Sequence, residues 1–300
     1  MNKNFNIGSS ETTREILLTE FDFRDYIQFG TPQHKPIPNI TFLEWFLGFF
    51  ESKGCFLKWF DKNQNSRFGI EITEKDVQLI YKIKSQLGFG KVIKIVKKTN
   101  RIYWRYYVQD FQNLTRFIWL FHGNLITVKK IKQFQNWVTE FQKRYNYKII
   151  FSEKKPSISL KTAWLSGFFE GNAGFWIQPK DFIKVNIDNS RSYNIKMIFY
   201  LTQKDEKELL SQIKQIFNIP SDIYQIINKC TTEKYNRLET SQLKSHLLII
   251  EYLEKYPFLG KRHIQFQRWK RVLGYRIKNY PITDKSIMKL YRLILSTKDF

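Results

Sequence analysis

The chain of 300 residues carries 50 Lys and Arg against 27 Asp and Glu, a formal net charge of +23 and a pI near 9.8, with a 17% aromatic share. That balance predicts a polyanionic partner, because each phosphate neutralised by a basic side chain releases condensed counterions. Cys55 and Cys230 stand too far apart in sequence to indicate a disulfide framework or a zinc site, and no apolar stretch is long enough to be a signal or a membrane span.

Residues 1–39 carry Glu11, Glu15, Glu20, Asp22 and Asp25, unlike an acid-poor transit peptide, and read as an N-terminal extension. The first helix is expected over Phe42 to Ser52, with Gly54 placed to close it in a left-handed cap. Strands at Phe56 to Phe60 and Phe68 to Thr73 precede a helix over Glu74 to Leu87, and strands at Lys91 to Lys98 and Arg101 to Val108 follow it. In the last of these, Arg101, Tyr103, Arg105 and Tyr107 alternate with Ile102, Trp104, Tyr106 and Val108, one wet, basic, aromatic face against one buried face. Helices over Asn113 to Phe121 and Lys129 to Arg144 complete the first half, and 146–160, with Glu153-Lys154-Lys155-Pro156, reads as a linker. The second half is expected to run through a helix at Lys161 to Glu170, strands at Phe175 to Gln178 and Lys196 to Thr202, and a helix at Asp205 to Phe217. A strand at Ile223 to Asn228 and helices at Ser241 to Lys255 and Lys261 to Leu273 follow. An amphipathic helix after Thr283, with Ile287, Leu290 and Ile294 or Leu293 as its apolar side, closes the chain.

The halves repeat each other. FLGFFESKG at Phe46 to Gly54 returns as LSGFFEGNA at Leu165 to Ala173, ITEKD at Ile72 to Asp76 as LTQKD at Leu201 to Asp205, and FQNW at Phe134 to Trp137 as FQRW at Phe266 to Trp269. A basic pair precedes each of the last two, Lys129 with Lys130 and Lys261 with Arg262. The offset grows from 119 to 129 to 132, which puts an insertion of about ten residues in the first hairpin of the second half, around Asp181 to Ser192. Gly48 and Ser52, then Gly167 and Gly171, set small residues four apart on one helical face and are expected to form a helix seam, flanked by Phe49, Phe50, Phe168 and Phe169. Because Ala173 stands where the first run has Gly54, the second cap is expected to be shifted or strained.

The paired runs resemble the signature of the LAGLIDADG homing-endonuclease and maturase family in its two-repeat, single-chain form. The resemblance implies an α+β fold of two pseudo-symmetric α-β-β-α-β-β-α repeats, 40–145 and 161–275, followed by a C-terminal segment 276–300 with the closing helix. Their antiparallel sheets would form a saddle for nucleic acid, in a monomer that is its own pseudo-dimer. In that family the eighth letter of each run delivers a carboxylate to a metal-dependent DNA-cutting centre. Here those degenerate positions are Lys53 and Asn172. Mg²⁺ needs hard, anionic oxygen ligands, which an ammonium cannot be, so the pair suits a phosphate better than a cation. Glu51 and Glu170, at the sixth letter, lie about 200° around the helix from the eighth and point elsewhere. No catalytic residue, metal or cofactor is therefore expected. Gln203 resembles a glutamine that the family places near the scissile phosphates, but its counterpart in the first half is Glu74.

The nucleic-acid face is expected to hold Lys94, Lys98, Arg101, Tyr103, Arg105 and Tyr107 from the first half and Lys184, Arg191, Lys196, Lys229, Lys234 and Arg237 from the second. Tyr193 and Tyr235 join Tyr103 and Tyr107 as stacking surfaces for unpaired bases. Cys55 is expected to be a small buried hydrophobe. Lost acids beside a kept fold and a kept basic face indicate a non-cutting binder of structured RNA. Such a binder is either an intron-splicing maturase or a part of an organellar ribonucleoprotein such as the mitochondrial ribosome. The alternative is an active DNA endonuclease with an unorthodox centre built on Glu51 and Glu170. The wealth of Phe, Ile, Asn, Lys and Tyr suits an AT-rich gene and hence a mitochondrial or plastid setting, with no membrane partner.

Overall fold

The computed structural model describes residues 20–97, 99–149, 156–185, 188, 190–228, 232–278 and 280–297. The chain divides into two compact units, Met1–Thr162 and Ala163–Phe300. The first opens with a π-helical turn, Tyr26–Gly30, and continues as α1 (Ile40–Lys53), β1 (Gly54–Phe60), β2 (Ser66–Glu74), α2 (Val77–Leu87), β3 (Lys91–Val96), β4 (Ile102–Val108), α3 (Phe111–Phe121) and α4 (Val128–Tyr145). The second runs α5 (Trp164–Asn172), β5 (Ala173–Ile177), β6 (Ile183–Val185), β7 (Arg191–Tyr193), β8 (Met197–Gln203), α6 (Lys207–Ile216), β9 (Tyr224–Ile227), β10 (Lys234–Thr240), α7 (Leu243–Lys255), α8 (Arg262–Lys278) and α9 (Asp284–Ser296). The fold is α+β with a repeated motif, and two helices, not one, follow the second hairpin of each repeat.

Each unit is built on one antiparallel four-stranded sheet, in the order β1-β2-β4-β3 in the first and β5-β8-β10-β9 in the second. Alternation along the strands gives each sheet one face of large apolar groups that must leave water, and helices cover it. In the first unit Phe68, Ile70, Ile72, Tyr106 and Val108 are buried on that face. Phe56 packs there on Phe134 and Trp137 of α4, with ring centroids 5.6 Å away in both cases. The second unit repeats the cluster, Phe175 lying 5.7 Å from Phe266 and 5.3 Å from Trp269 of α8. The recurrence of FQNW as FQRW is thus the recurrence of one packing contact.

Both signature helices pass directly into a strand. Gly54 has φ −75°, ψ 156° and Ala173 has φ −78°, ψ 153°, so neither residue is left-handed, and the expected shifted or strained cap at Ala173 does not occur. Glycine at 54 answers to space instead: a Cβ there would stand 2.2 Å from the Phe50 ring. Left-handed caps stand instead at Gly88, φ +81°, which ends α2, and at Asn146, φ 49°, which ends α4.

The described part of the N-terminal segment is woven into the first unit rather than standing outside it. Phe21, Phe23 and Tyr26 are buried. The Asp22 N–H donates to Asn124 Oδ1 at 2.8 Å, while Asn124 Nδ2 donates to the Asp22 carbonyl at 2.7 Å. The insertion in the second unit is the hairpin β6–β7, a separate two-stranded sheet.

Candidate nucleic-acid interface

The acids at the sixth letter are occupied by the fold. The Glu51 carboxylate accepts the N–H groups of Ile126 at 3.0 Å and Thr127 at 2.6 Å, the two residues that lead into α4. Glu170 accepts those of Leu259 at 2.8 Å and Gly260 at 2.6 Å, just ahead of α8. Both glutamates are buried, and a carboxylate at the start of a helix meets both the unpaired N–H groups and the positive end of the dipole. The basic pairs complete the joint. Lys130 donates to the Gly54 carbonyl; Arg262 donates to the Ala173 carbonyl and, at 2.7 Å, to that of Glu170. Burial pulls the Lys130 ammonium below its ordinary pKa, with Lys129 adding to the effect and Cys55 and Glu51 opposing it.

Lys53 and Asn172 each end their helix, half-buried. Asn172 Nδ2 is buried with no hydrogen-bond acceptor, so both positions offer N–H donors. Neither position offers the anionic oxygen that the divalent cation implied by the sequence resemblance requires. Among the described residues no three His, Cys, Asp or Glu side chains are grouped to hold an ion.

On the face of the first sheet away from its helices, β4 contributes Tyr103, Arg105 and Tyr107, and Arg101 continues the alternation at its head. Register adds what strand composition did not show. Lys91 lies opposite Tyr107 and shares that face, whereas Lys94 lies opposite Trp104 and belongs to the helix side with Tyr106, a correction to its expected placement. Trp59 and Tyr107 meet across the sheet, centroids 6.5 Å apart, over Gly69, where a Cβ would come within 3.2 Å of both rings. Lys97 sits 4.5 Å from the Tyr103 ring centre. Arg105 is not free for a phosphate: Glu71 Oε2 stands 3.0 Å from its Nε, an ion pair out of line for a hydrogen bond.

The second sheet repeats the theme on Trp176, Ile198, Tyr200, Thr202, Tyr235, Arg237 and Glu239. Arg237 lies 3.9 Å over the Tyr200 ring while its Nε donates to Glu239 at 2.8 Å. Gly174 is opposite Tyr200, whose ring a Cβ at 174 would meet at 2.0 Å. Lys196 extends this face, its carbonyl accepting from the Gln178 N–H at 2.9 Å. Lys234 lies opposite Ile227 and shares parity with buried Leu238, so, like Lys94, it is on the other face. Gln203 and Glu74 end β8 and β2 on the helix-side parity of Leu201 and Ile72.

Lys184, Arg191 and Tyr193 belong to the β6–β7 hairpin, not to the sheet, because the hairpin packs on the C-terminal helices. Tyr193 is 6.0 Å from Tyr275 of α8, and Arg191 is 3.4 Å from Asp284 of α9. Lys98, Lys229 and Cys230 lie outside the described residues. Cys55, expected buried, is exposed on β1, because its register opposite Glu71 turns it to the wet face. Gly48, Gly167 and Gly171 are buried in their helices; Ser52 is half-buried and its hydroxyl donates to the Phe49 carbonyl at 2.8 Å. Lys91, Trp59 and Trp176 are wet-face residues that composition did not single out; only strand parity could have found them.

The LAGLIDADG endonuclease family model matches residues 46–141 and 165–273. A probable intron-encoded endonuclease of Neurospora crassa is 28% identical over 229 residues, 76% of this chain, and the chain spans only 39% of that relative's length. A cox1 intron-2 protein of Schizosaccharomyces pombe, described as uncharacterized, is 23% identical over 95% of this chain and 80% of its own length. Among solved structures, the meganuclease I-AabMI bound to uncleaved DNA superposes with a TM-score of 0.62 at 19% identity, over 84% of this chain and 98% of the other. I-GzeII in complex with its DNA target gives 0.61 at 18% identity, over 84% and 96%. With two matched repeats, two copies of the helix-to-strand joint and the sheet order shared by both units, this chain belongs to the LAGLIDADG endonuclease family.

Proposed function

We propose that this protein binds structured RNA through its two sheet faces without cutting, either as an intron-splicing maturase or as a component of an organellar ribonucleoprotein such as the mitochondrial ribosome. The observation that carries the reading is the fate of the acids: the eighth letters are Lys53 and Asn172, and the carboxylates of Glu51 and Glu170 are taken up by backbone N–H groups. A glutamate that holds the head of a helix cannot leave to ligate a metal without unpairing those groups. Wet faces of tyrosine, tryptophan and lysine suit backbone charge and unpaired bases together. An organellar setting accords with relatives that are named as intron-encoded proteins.

The purified protein is expected to leave any pool of DNA containing its binding site uncut with Mg²⁺ or Mn²⁺, and to copurify with an organellar RNA. Metal-dependent nicking abolished by Glu51→Gln and Glu170→Gln would overturn the non-cutting reading. A second reading, a duplex-DNA endonuclease, is favoured by the names of the relatives and by the DNA in the solved structures of similar fold; tight sequence-specific affinity for duplex DNA and none for RNA would establish its binding half.

A further inference from the structure

We propose that the groove between α8 and α9 is a second nucleic-acid site, which takes the phosphodiester backbone of a single strand independently of the sheet faces. Between residues 261 and 297 the chain has ten Lys and Arg and one acid, Asp284. Within this stretch a groove of about 410 Å³ is lined by Arg271 and Tyr275 of α8 and by Lys289, Arg292, Leu293 and Ser296 of α9. Arg105 and Arg237 on the sheets each face a carboxylate, whereas among the described residues Arg271, Lys289 and Arg292 have none within ion-pair distance. Asp284, the one acid of the stretch, is beside Arg191.

Three cations around a tyrosine and a leucine combine charge for phosphates with a surface on which a base can stack, the pairing that holds single strands. The helix beside the groove has the backbone for close approach. Gly274 lies one residue before Tyr275 and three after Arg271, on the same side of α8, and a Cβ there would meet nothing within 4 Å. A mid-helix glycine lowers helix stability relative to alanine, and no neighbour among the described residues needs its small size. The groove is also separate from the sheet face. α8 packs through Phe266 and Trp269 on Phe175, which points to the side of the second sheet opposite Trp176 and Tyr200.

The test uses the full chain and a fluorescent unstructured 20-nucleotide RNA, with DNA of the same sequence as a second probe. Arg271→Ala with Lys289→Ala and Arg292→Ala should weaken binding at least tenfold and lower the log–log salt slope by about two, since each single-strand phosphate contact contributes about 0.7. A variant matched in charge but away from the groove, Lys207→Ala with Lys244→Ala and Lys255→Ala, should stay within about twofold. Gly274→Leu should weaken binding with no change of charge. Equal losses for both probes assign the phosphate as the group read, and a loss confined to RNA assigns the ribose hydroxyl as well. Equal losses in the groove and matched variants would overturn the proposal, leaving bulk charge as the cause. So would competition by an acidic peptide that RNA does not match. Sheet-face variants that lose structured RNA while keeping this single-strand component separate the failure of this site from failure of the sheet-face reading.

Discussion

His246 shows how one buried residue sets a pH limit on the fold. It is 0% exposed, its Nε2 lies 3.0 Å from the Thr240 carbonyl, its ring meets Trp269 edge-on at 4.7 Å, and its Nδ1 is buried without a partner. Burial lowers its pKa to about 4, Arg276 adding to the effect and the Thr240 carbonyl opposing it. Between pH 6.5 and 4 the unfolded chain takes a proton that the folded one refuses, so stability is full above that window and lost as pH falls through it. From pH 7 to pH 5 the loss from this group is about 2 kcal/mol. Urea unfolding at the two pH values should therefore show wild type falling toward His246→Gln, which lacks the group. Parallel declines would show that the imidazole is not held neutral. At Glu51 and Glu170 the expected effect is independent of nucleic acid: replacing either by Ala strands N–H groups that are buried at Thr127 and half-buried at Ile126, Leu259 and Gly260, and should cost about 1–3 kcal/mol by the same assay.

At the scale of the element, the joint between each signature helix and the strand after it is built twice with different residues. The backbone is extended at both Gly54 and Ala173, so conformation does not decide between glycine and alanine. The ring of Phe50 does, since it fills the space that a Cβ at 54 would need. Gly54→Ala should cost about 1–3 kcal/mol by overpacking. Ala173→Gly should cost about 1–2 kcal/mol, through backbone entropy and the loss of one buried methyl. A thermal melt in which Gly54→Ala costs nothing would mean that Phe50 moves aside freely. The second element to differ is β10, which local patterning does not mark as a strand. Its helix side carries Lys234, Asn236, Leu238 and Thr240, and one leucine in four positions leaves almost no apolar alternation to read, although β8 and β9 pair on either side of it.

For the whole molecule, the +23 charge matters only where it is unpaired. Exposed ion pairs such as Arg67 with Asp61 contribute little to stability, and the half-buried pair of Arg105 with Glu71 holds a cation that a phosphate would otherwise engage. Lys91, Arg101 and Lys196 have no carboxylate within ion-pair distance among the described residues, and they should carry the salt dependence of the sheet faces. Lys91→Ala with Arg101→Ala in one unit, and Lys196→Ala in the other, should each weaken structured RNA, reducing the log–log slope by about one per contact. Lys94→Ala and Lys234→Ala, on the helix-side parity, should leave the slope unchanged. The reverse pattern, with Lys94 and Lys234 dominant, would put the ligand on the other side of the sheets. No helix among the described residues is long and apolar enough to cross a membrane.

Order along the chain was decided by the sequence itself. Helix and strand periodicities, the doubled FFE runs, the recurring FQNW and FQRW and the growing offset are all local, and each follows from contacts between near neighbours or from one packing motif used twice. What a residue faces was decided only by the fold. Pairing register sent Lys94 and Lys234 to one side of their sheets and Lys91 to the other, because a shift of one position reverses every side chain. The destination of Glu51, 75 residues from the amide it caps, and of Arg191, 93 residues from its aspartate, depends on chain closure that no window of sequence contains. Tertiary packing therefore turned two conspicuous acids into helix anchors, and set the inserted hairpin beside the C-terminal helices and away from the sheet.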